Sequence, residues 1–225
     1  MVKFELTDIK KIVNGHTVHR IVCVEPFHIY KKGDLGGWVE SEKNLSQFGK
    51  CWIADDAVVY NNGYVGDDAW VGNNARVFDN ASILENAYVG EDAKIFEYAT
   101  IKGLAMVLGK AQVRNFAMVY GNAEISSDAV IVSEYDYIIF KNNFSDSFRY
   151  FTYTASNQKW KVGCFMGTGK ELIKAAYAKN KEVGKCYEAY VELVEKLRSA
   201  TIPQTGIYRI YNKLIKKVNI FRHFR

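Results

Sequence analysis

From residue 57 a small side chain returns at every sixth position, for thirteen consecutive repeats, running Ala57, Gly63, Ala69, Ala75 and onward unbroken to Ala129. Two residues after each stands a Val or Ile: Val59, Val65, Val71, Val77, Ile83 and so on to Ile131, with Cys51 and Ile53 adding one more repeat at the start. An amphipathic helix repeats at 3.6 residues and a half-buried strand at 2, so a strict six fits neither. It fits a chain that alternates a very short strand with a tight corner. The Val or Ile sits mid-strand and points inward, and its two neighbours point outward because strand side chains alternate. A polar pair follows, such as Asn61-Asn62, Asp67-Asp68, Asn73-Asn74 or Asp79-Asn80. These residue types tolerate tight turns and left-handed backbone. The small residue then fits inside the corner. Strand, corner, strand, corner closes a triangular coil, and successive coils stack by parallel pairing.

The segment Val65-Gly66-Asp67-Asp68-Ala69-Trp70 resembles the hexapeptide repeat of left-handed parallel β-helices. That repeat is an aliphatic residue, then Gly, Ala, Glu or Asp, two variable residues, a small residue and one more. The resemblance implies three hexads per coil, hence about four and a third coils stacked ~4.8 Å apart. It also implies that residues eighteen apart share a face, and that the protein assembles as a homotrimer. The flanks carry a narrower resemblance. Gly33-Asp34-Leu35-Gly36-Gly37-Trp38-Val39-Glu40, with Asn44-Leu45-Ser46, is similar to the lead-in of hexapeptide-repeat phage and prophage proteins of unknown role. Thr152–Tyr190, with Trp160-Lys161-Val162-Gly163-Cys164-Phe165 and Gly167-Thr168-Gly169, resembles their C-terminal part.

The expected fold class is therefore mainly β: a left-handed parallel β-helix with an N-terminal cap and a small C-terminal α+β segment. The expected boundaries are a cap over 1–50, the β-helix over 51–134, a hairpin plus two helices over 135–198 and a basic amphipathic tail over 199–225. Asn14-Gly15, between Ile12-Val13 and Thr17-Val18, reads as a tight hairpin in the cap. A second hairpin is expected around Ser156-Asn157. Thr168-Gly169-Lys170-Glu171 reads as a capping box that opens a helix to about Lys179, with another over roughly 182–198. Apolar residues from Ile207 to Phe221 follow helical spacing.

Charge is unevenly spread. The net charge is +5, yet residues 207–225 hold six basic residues and no acid, while the other 206 residues hold 24 basic and 25 acidic. The basic balance belongs to the tail, which weakens a global nucleic-acid reading. Tail contact with nucleic acid or an anionic membrane is less favoured than docking of its apolar face on protein. No stretch is apolar enough for a transmembrane helix, and the start shows no secretory h-region, so a cytoplasmic protein is expected. Cys23, Cys51, Cys164 and Cys186 are far apart and read as reduced thiols, not zinc ligands. No metal and no cofactor are expected.

Catalysis is not favoured. Gly167-Thr168-Gly169-Lys170 invites a phosphate-loop reading, but Cys164 stands five before Gly169 and Glu171 replaces the required Ser or Thr. The hexapeptide resemblance implies acyl transfer from a CoA-type donor with a histidine base. None of His16, His19, His28 and His223 lies within the repeats, and His28 is the one expected near the coils. The outward columns say more. One face carries Val58/Tyr60, Arg76/Phe78, Lys94/Phe96 and Gln112/Arg114. Arg76, Lys94 and Arg114 are suited to phosphate, and Phe78, Phe96 and Tyr60 to a flat group. A third face carries Trp52, Trp70, Tyr88 and Met106 beside small residues, a costly stripe to leave wet and the expected subunit interface, with packing of residues 168–198 or 207–221 on it as the alternative. The leading expectation is a non-catalytic trimer, phage-encoded if the narrower resemblance holds, that sequesters a small anionic nucleotide-like host-defence signal in an inter-subunit groove. The alternatives are a hexapeptide acyltransferase and a structural or protein-interaction module.

Overall fold

The structure, a computed structural model, describes residues 2–142 and 149–200. The part of the basic tail beyond Ala200, with the helix expected from Ile207, lies outside the described residues.

Each hexad folds into one two-residue strand and one corner. Fourteen such strands run from β4 (Trp52–Ile53) to β17 (Val130–Ile131). Before them come β1 (Phe4–Val13), β2 (His16–Cys23) and β3 (Leu35–Val39). The coil strands pair in parallel, and every partner lies eighteen residues away. Lys94 faces Arg76 and Gln112, Tyr88 faces Trp70 and Met106, and Thr100 faces Ser82 and Met118. Three sheets result, one for each side of a prism. The chain is thus a mainly β protein built on a parallel β-helix.

The inside of the prism is filled by the repeat itself. Val59 to Ile131 and Ala57 to Ala129 are at most 1 % exposed throughout. Burying each Val or Ile stabilises by about 1.5–3 kcal/mol. Strand N–H groups donate to the neighbouring coil, as in Trp70 N to Ala87 O at 2.9 Å and Arg76 N to Ala93 O at 2.9 Å.

The corners are a second, polar ladder. The first residue of each polar pair has left-handed backbone: Asp55, Asn61, Asp67, Asn73, Asp79, Glu85, Glu91 and Glu97 lie at φ 53–59°, and Gly103, Gly109 and Gly121 at φ 67–74°. Glu is unusual there. Its reason for being there is reach. The side-chain oxygen at one corner accepts the N–H of the corner residue eighteen positions on: Asn73 Oδ1 from Glu91 at 3.0 Å, Glu91 Oε2 from Gly109 at 2.8 Å, Glu97 Oε2 from Asn115 at 2.6 Å. N–H groups left over by the strand ladder are thereby satisfied.

Both ends of the prism are closed. Asn14 (φ 51°) and Gly15 (φ 87°) form the tight turn of the β1–β2 hairpin, which extends the first face in the order β1-β2-β3 and then Val58–Val59. β3 pairs in parallel with that strand, and Leu45 bridges Val65, so irregular coil precedes the first regular hexad. Lys3, 5 % exposed, spans the open edge and donates to Cys51 O at 2.9 Å. At the far end β18 (Tyr137–Lys141), β19 (Tyr150–Thr154), β20 (Lys159–Val162) and β21 (Phe165–Gly167) form an antiparallel sheet. Thr152 Oγ1 accepts Glu124 N–H at 3.0 Å and Ser156 Oγ accepts Val130 N–H at 2.8 Å. The Tyr137 hydroxyl donates to Met118 O at 3.1 Å, and burial pushes its pKa up to about 12. These contacts cover the edge the last coil exposes.

The chain divides into two units, Met1–Leu172 and Ile173–Arg225. The capping box opens α1 (Gly169–Tyr177): Thr168 N–H donates to Glu171 Oε2 at 2.8 Å and Glu171 N–H to Thr168 Oγ1 at 3.4 Å. In the second unit α2 (Lys181–Ala200) follows, and Tyr177 OH donates to Glu188 Oε2 at 2.6 Å.

Two substitutions test this construction by chemical denaturation. Ile95→Ala empties part of the fully buried interior and is expected to cost about 2–5 kcal/mol. Asn73→Ala keeps the left-handed corner but removes the acceptor for Glu91 N–H; it is expected to cost more than Asn73→Gly, which relieves the backbone, by about 1 kcal/mol.

Candidate functional site

The expected first face forms, with its lower part already occupied. The β1–β2 arm shelters a cluster outside the coil made of Val18, Trp38, Val58 and Tyr60, with Val13 and Phe78 packed on it. Lys11 Nζ sits 4.1 Å from the Trp38 ring centroid, and the Arg20 guanidinium 5.0 Å. Asp56 Oδ1 accepts Trp38 Nε1–H at 3.2 Å and lies 3.8 Å from Lys11 Nζ and 3.5 Å from Arg20. Burial pushes the Lys11 pKa down; Asp56 opposes this, and the charges of Arg20 and Arg76 add to it. Positive charge is therefore already crowded where the open part of the face begins.

The three rings of the expected site form one column. Tyr60 and Phe78 stack at 5.1 Å and 5°, Phe78 and Phe96 at 5.0 Å and 1°. Tyr60 is 2 % exposed: the His16 ring lies 4.9 Å away and Asn14 Nδ2 donates to its hydroxyl at 3.0 Å. Between Tyr60 and Phe96 the ring faces meet one another, so there the column turns edge outward.

Arg76 and Lys94 come together as expected. They line a cleft of about 400 Å³ with Asn74, Asp92, Lys110 and Gln112. Arg114 lies outside that lining, and its half-buried side chain has a fully buried Nε without a hydrogen-bond partner among the described residues. The cleft runs along the prism edge between Trp70–Val71 and Arg76–Val77, so corner residues reach it from one side and strand residues from the other. Lys110, Asp92 and Asn74 were not singled out from sequence. The signal was present, since they too stand eighteen apart, at a corner position read only as turn.

A second pair also escaped the sequence reading. His16 Nδ1 lies 2.9 Å from Glu40 Oε1, and Glu40 Oε2 accepts Asn61 N–H at 2.6 Å. A carboxylate only accepts, so Nδ1 carries the proton. Its hydrogen bond holds the Glu40 pKa below the usual carboxylate range, with burial opposing and Asn61 N–H helping. His28, by contrast, is exposed on the cap loop between Phe27 and Tyr30, which lie over the third face.

On that third face Trp52 is 0 % exposed, covered by Phe27 at 5.4 Å and Tyr30 at 4.8 Å between centroids. The cap therefore hides this end of the stripe. Trp70 donates to Tyr30 OH at 3.0 Å and stacks on Tyr88 at 4.7 Å and 12°; Trp70, Tyr88 and Met106 are half-buried. The rings lie flat across the glycine two residues on. A Cβ on Gly72 would come within 1.9 Å of the Trp70 ring, and one on Gly90 within 2.9 Å of Tyr88. The repeated ring–Val–Gly sequence thus makes a level surface.

Among the described residues no group of three or more His, Cys, Asp or Glu is placed to hold a metal ion, and no helix is long and apolar enough to cross a membrane. No known family model matches the chain, and no curated protein matches it.

The Glu40 pairing has a pH signature. A depressed carboxyl stabilises the fold above its unfolded pKa of about 4.3 and loses that contribution as pH falls through its lower folded value. Carboxyl ¹³C NMR is expected to show Glu40 titrating below the ordinary glutamate range, moving up in His16→Ala. An ordinary value in the unmodified protein contradicts the pairing.

Proposed function

We propose that the protein binds a small phosphate-bearing anion of the nucleotide class on the first face of the β-helix, without chemical conversion. One observation carries the reading: Arg76, Lys94 and Lys110 converge on one cleft whose only acid is Asp92. Among the described residues none of the three cations forms an ion pair. Cations held in one cleft without an ion-pair partner suit a phosphate-bearing anion. Phe78 and Phe96 follow Arg76 and Lys94 by two residues and stand outside the cleft lining, Arg114 extends the charge beyond it, and Tyr60 anchors the ring column.

The same reading includes a homotrimer. Trp70, Tyr88 and Met106 form a level, half-buried apolar strip, and covering it with another copy removes its contact with water. The cleft lies on the edge of that face, so a second copy docked there walls it and makes an inter-subunit groove. Closed symmetry is the common solution for such a surface. The hexapeptide-repeat resemblance supports this assembly, and sequestering a host-defence signal is the role we propose by analogy with a phage setting.

Titration calorimetry with ATP, AMP and a cyclic dinucleotide tests the site. At least one is expected to bind, and Arg76→Ala with Lys94→Ala to weaken it at least tenfold, about 1.4 kcal/mol, with unchanged circular dichroism. Unchanged affinity removes the site; no binding of any probe removes the function. Light scattering is expected to give three times the 25.6 kDa chain mass, and Trp70→Glu one chain. A single-chain mass for the unmodified protein rejects the trimer.

The His16–Glu40 pair favours a second reading, acyl transfer from a CoA-type donor. An imidazole oriented through Nδ1 is equipped to take a proton at Nε2. This reading requires acetyl-CoA turnover that is lost in His16→Ala and kept in His28→Ala.

A further inference from the structure

We propose that the first face recognises a linear polyphosphate chain and is indifferent to the base and sugar attached to it; this rests on the anion-binding reading above and names its ligand class. The first ground is that the rings are closed to a flat guest. Carbon atoms in contact sit about 3.5–4.0 Å apart, so a planar group inserted between two rings needs roughly 7 Å of separation. Tyr60, Phe78 and Phe96 are spaced by 5.1 and 5.0 Å and nearly parallel. The outer face of Tyr60 meets His16 at 4.9 Å, and its hydroxyl is taken by Asn14. Between these rings there is no slot in which a base can stack, and none of the three lines the cleft that holds the cations.

The second ground is the spacing of the charges. Arg76 and Lys94 are direct register partners on neighbouring coils, and Lys110 comes from the coil that carries Gln112, the next partner of Lys94. Three successive coils thus contribute one cation each, at a rise of ~4.8 Å per coil. All three border one cleft of about 400 Å³. A single phosphate carries about −1.5 to −2 charge at pH 7 and has three oxygens, enough to engage one or two of these groups. Only a chain of phosphates reaches all three. Asp92, between Asn74 and Lys110 in the corner column, donates nothing to a phosphate, and Asn74 Nδ2 occupies one of its oxygens at 3.2 Å. Its charge penalises a lone phosphate more than a longer chain that spreads over the surrounding cations.

The test is calorimetry of the full chain at one fixed salt concentration with inorganic phosphate, pyrophosphate, tripolyphosphate, ATP, AMP, adenosine and an oligothymidylate. Affinity is expected to rise with each added phosphate. Tripolyphosphate should bind within about threefold of ATP and at least tenfold tighter than AMP, and adenosine should not bind. Lys110 and Lys94 are exposed, so Lys110→Gln and Lys94→Gln keep the fold, as an unchanged melting temperature verifies. Each is expected to lower tripolyphosphate affinity about tenfold, and Lys110→Gln to erase the preference of tripolyphosphate over pyrophosphate. Adenosine binding as tightly as tripolyphosphate overturns both the inference and the anion site. AMP binding as tightly overturns the inference and leaves the anion site standing. So does a neutral Lys110→Gln, or an oligothymidylate that outbinds tripolyphosphate. Silence from every anion overturns both.

Discussion

An inward Val or Ile over an inward Ala, repeated every six residues, is the packing on which the rest depends. Both are fully or almost fully buried in every coil from Ala57 to Ile131. A slip of the chain by one residue would turn that whole set outward and bring charge inside, so the register is strongly held. Parallel pairing then places each residue against the one eighteen positions away, as for Lys94 with Arg76 and Gln112. The outward side chains inherit that alignment without stabilising it much themselves. Corner oxygens such as those of Asn73, Glu91 and Glu97 keep the turns in step with the strands.

Because alignment comes from the inside, each outer column can specialise. On one face charge accumulates from Lys11 and Arg20 at the cap to Arg76, Lys94 and Lys110 on the coils, beside rings stacked at about 5 Å. On another, Trp70 and Tyr88 lie flat over Gly72 and Gly90 and leave a level apolar strip. The cleft lies on the edge between these two faces. Its chemistry and its proposed closure by a second copy therefore follow from the same eighteen-residue spacing.

The coil was legible in the sequence because one physical demand repeats many times. Parallel stacking, the Asn14-Gly15 hairpin, the turn before Lys159 and the Thr168–Glu171 cap were all readable from local chemistry. Contacts between distant segments were not. Nothing in the order of residues indicated that the hairpin arm would fold over Val58 and Tyr60, or that Phe27 and Tyr30 would cover Trp52. His16 and Glu40 are 24 residues apart and meet only because β2 and β3 are paired. Lys110 was overlooked for a different reason. Corner positions look like turn residues, yet they stack in columns as regularly as the strands and can furnish a site.

Disulfide trapping reads the register most directly. In protein with Cys164 and Cys186 replaced by Ser, cysteines at Ser82 and Thr100 are register partners on one face. Their ~4.8 Å strand separation lies within the range a disulfide spans, whereas Ser82 and Lys102, two residues off register, fall outside it at roughly 8 Å. Mild oxidation is expected to cross-link the first pair nearly completely and leave the second free. Equal cross-linking of both pairs, or preference for the second, contradicts the stacked coil and every column built on it.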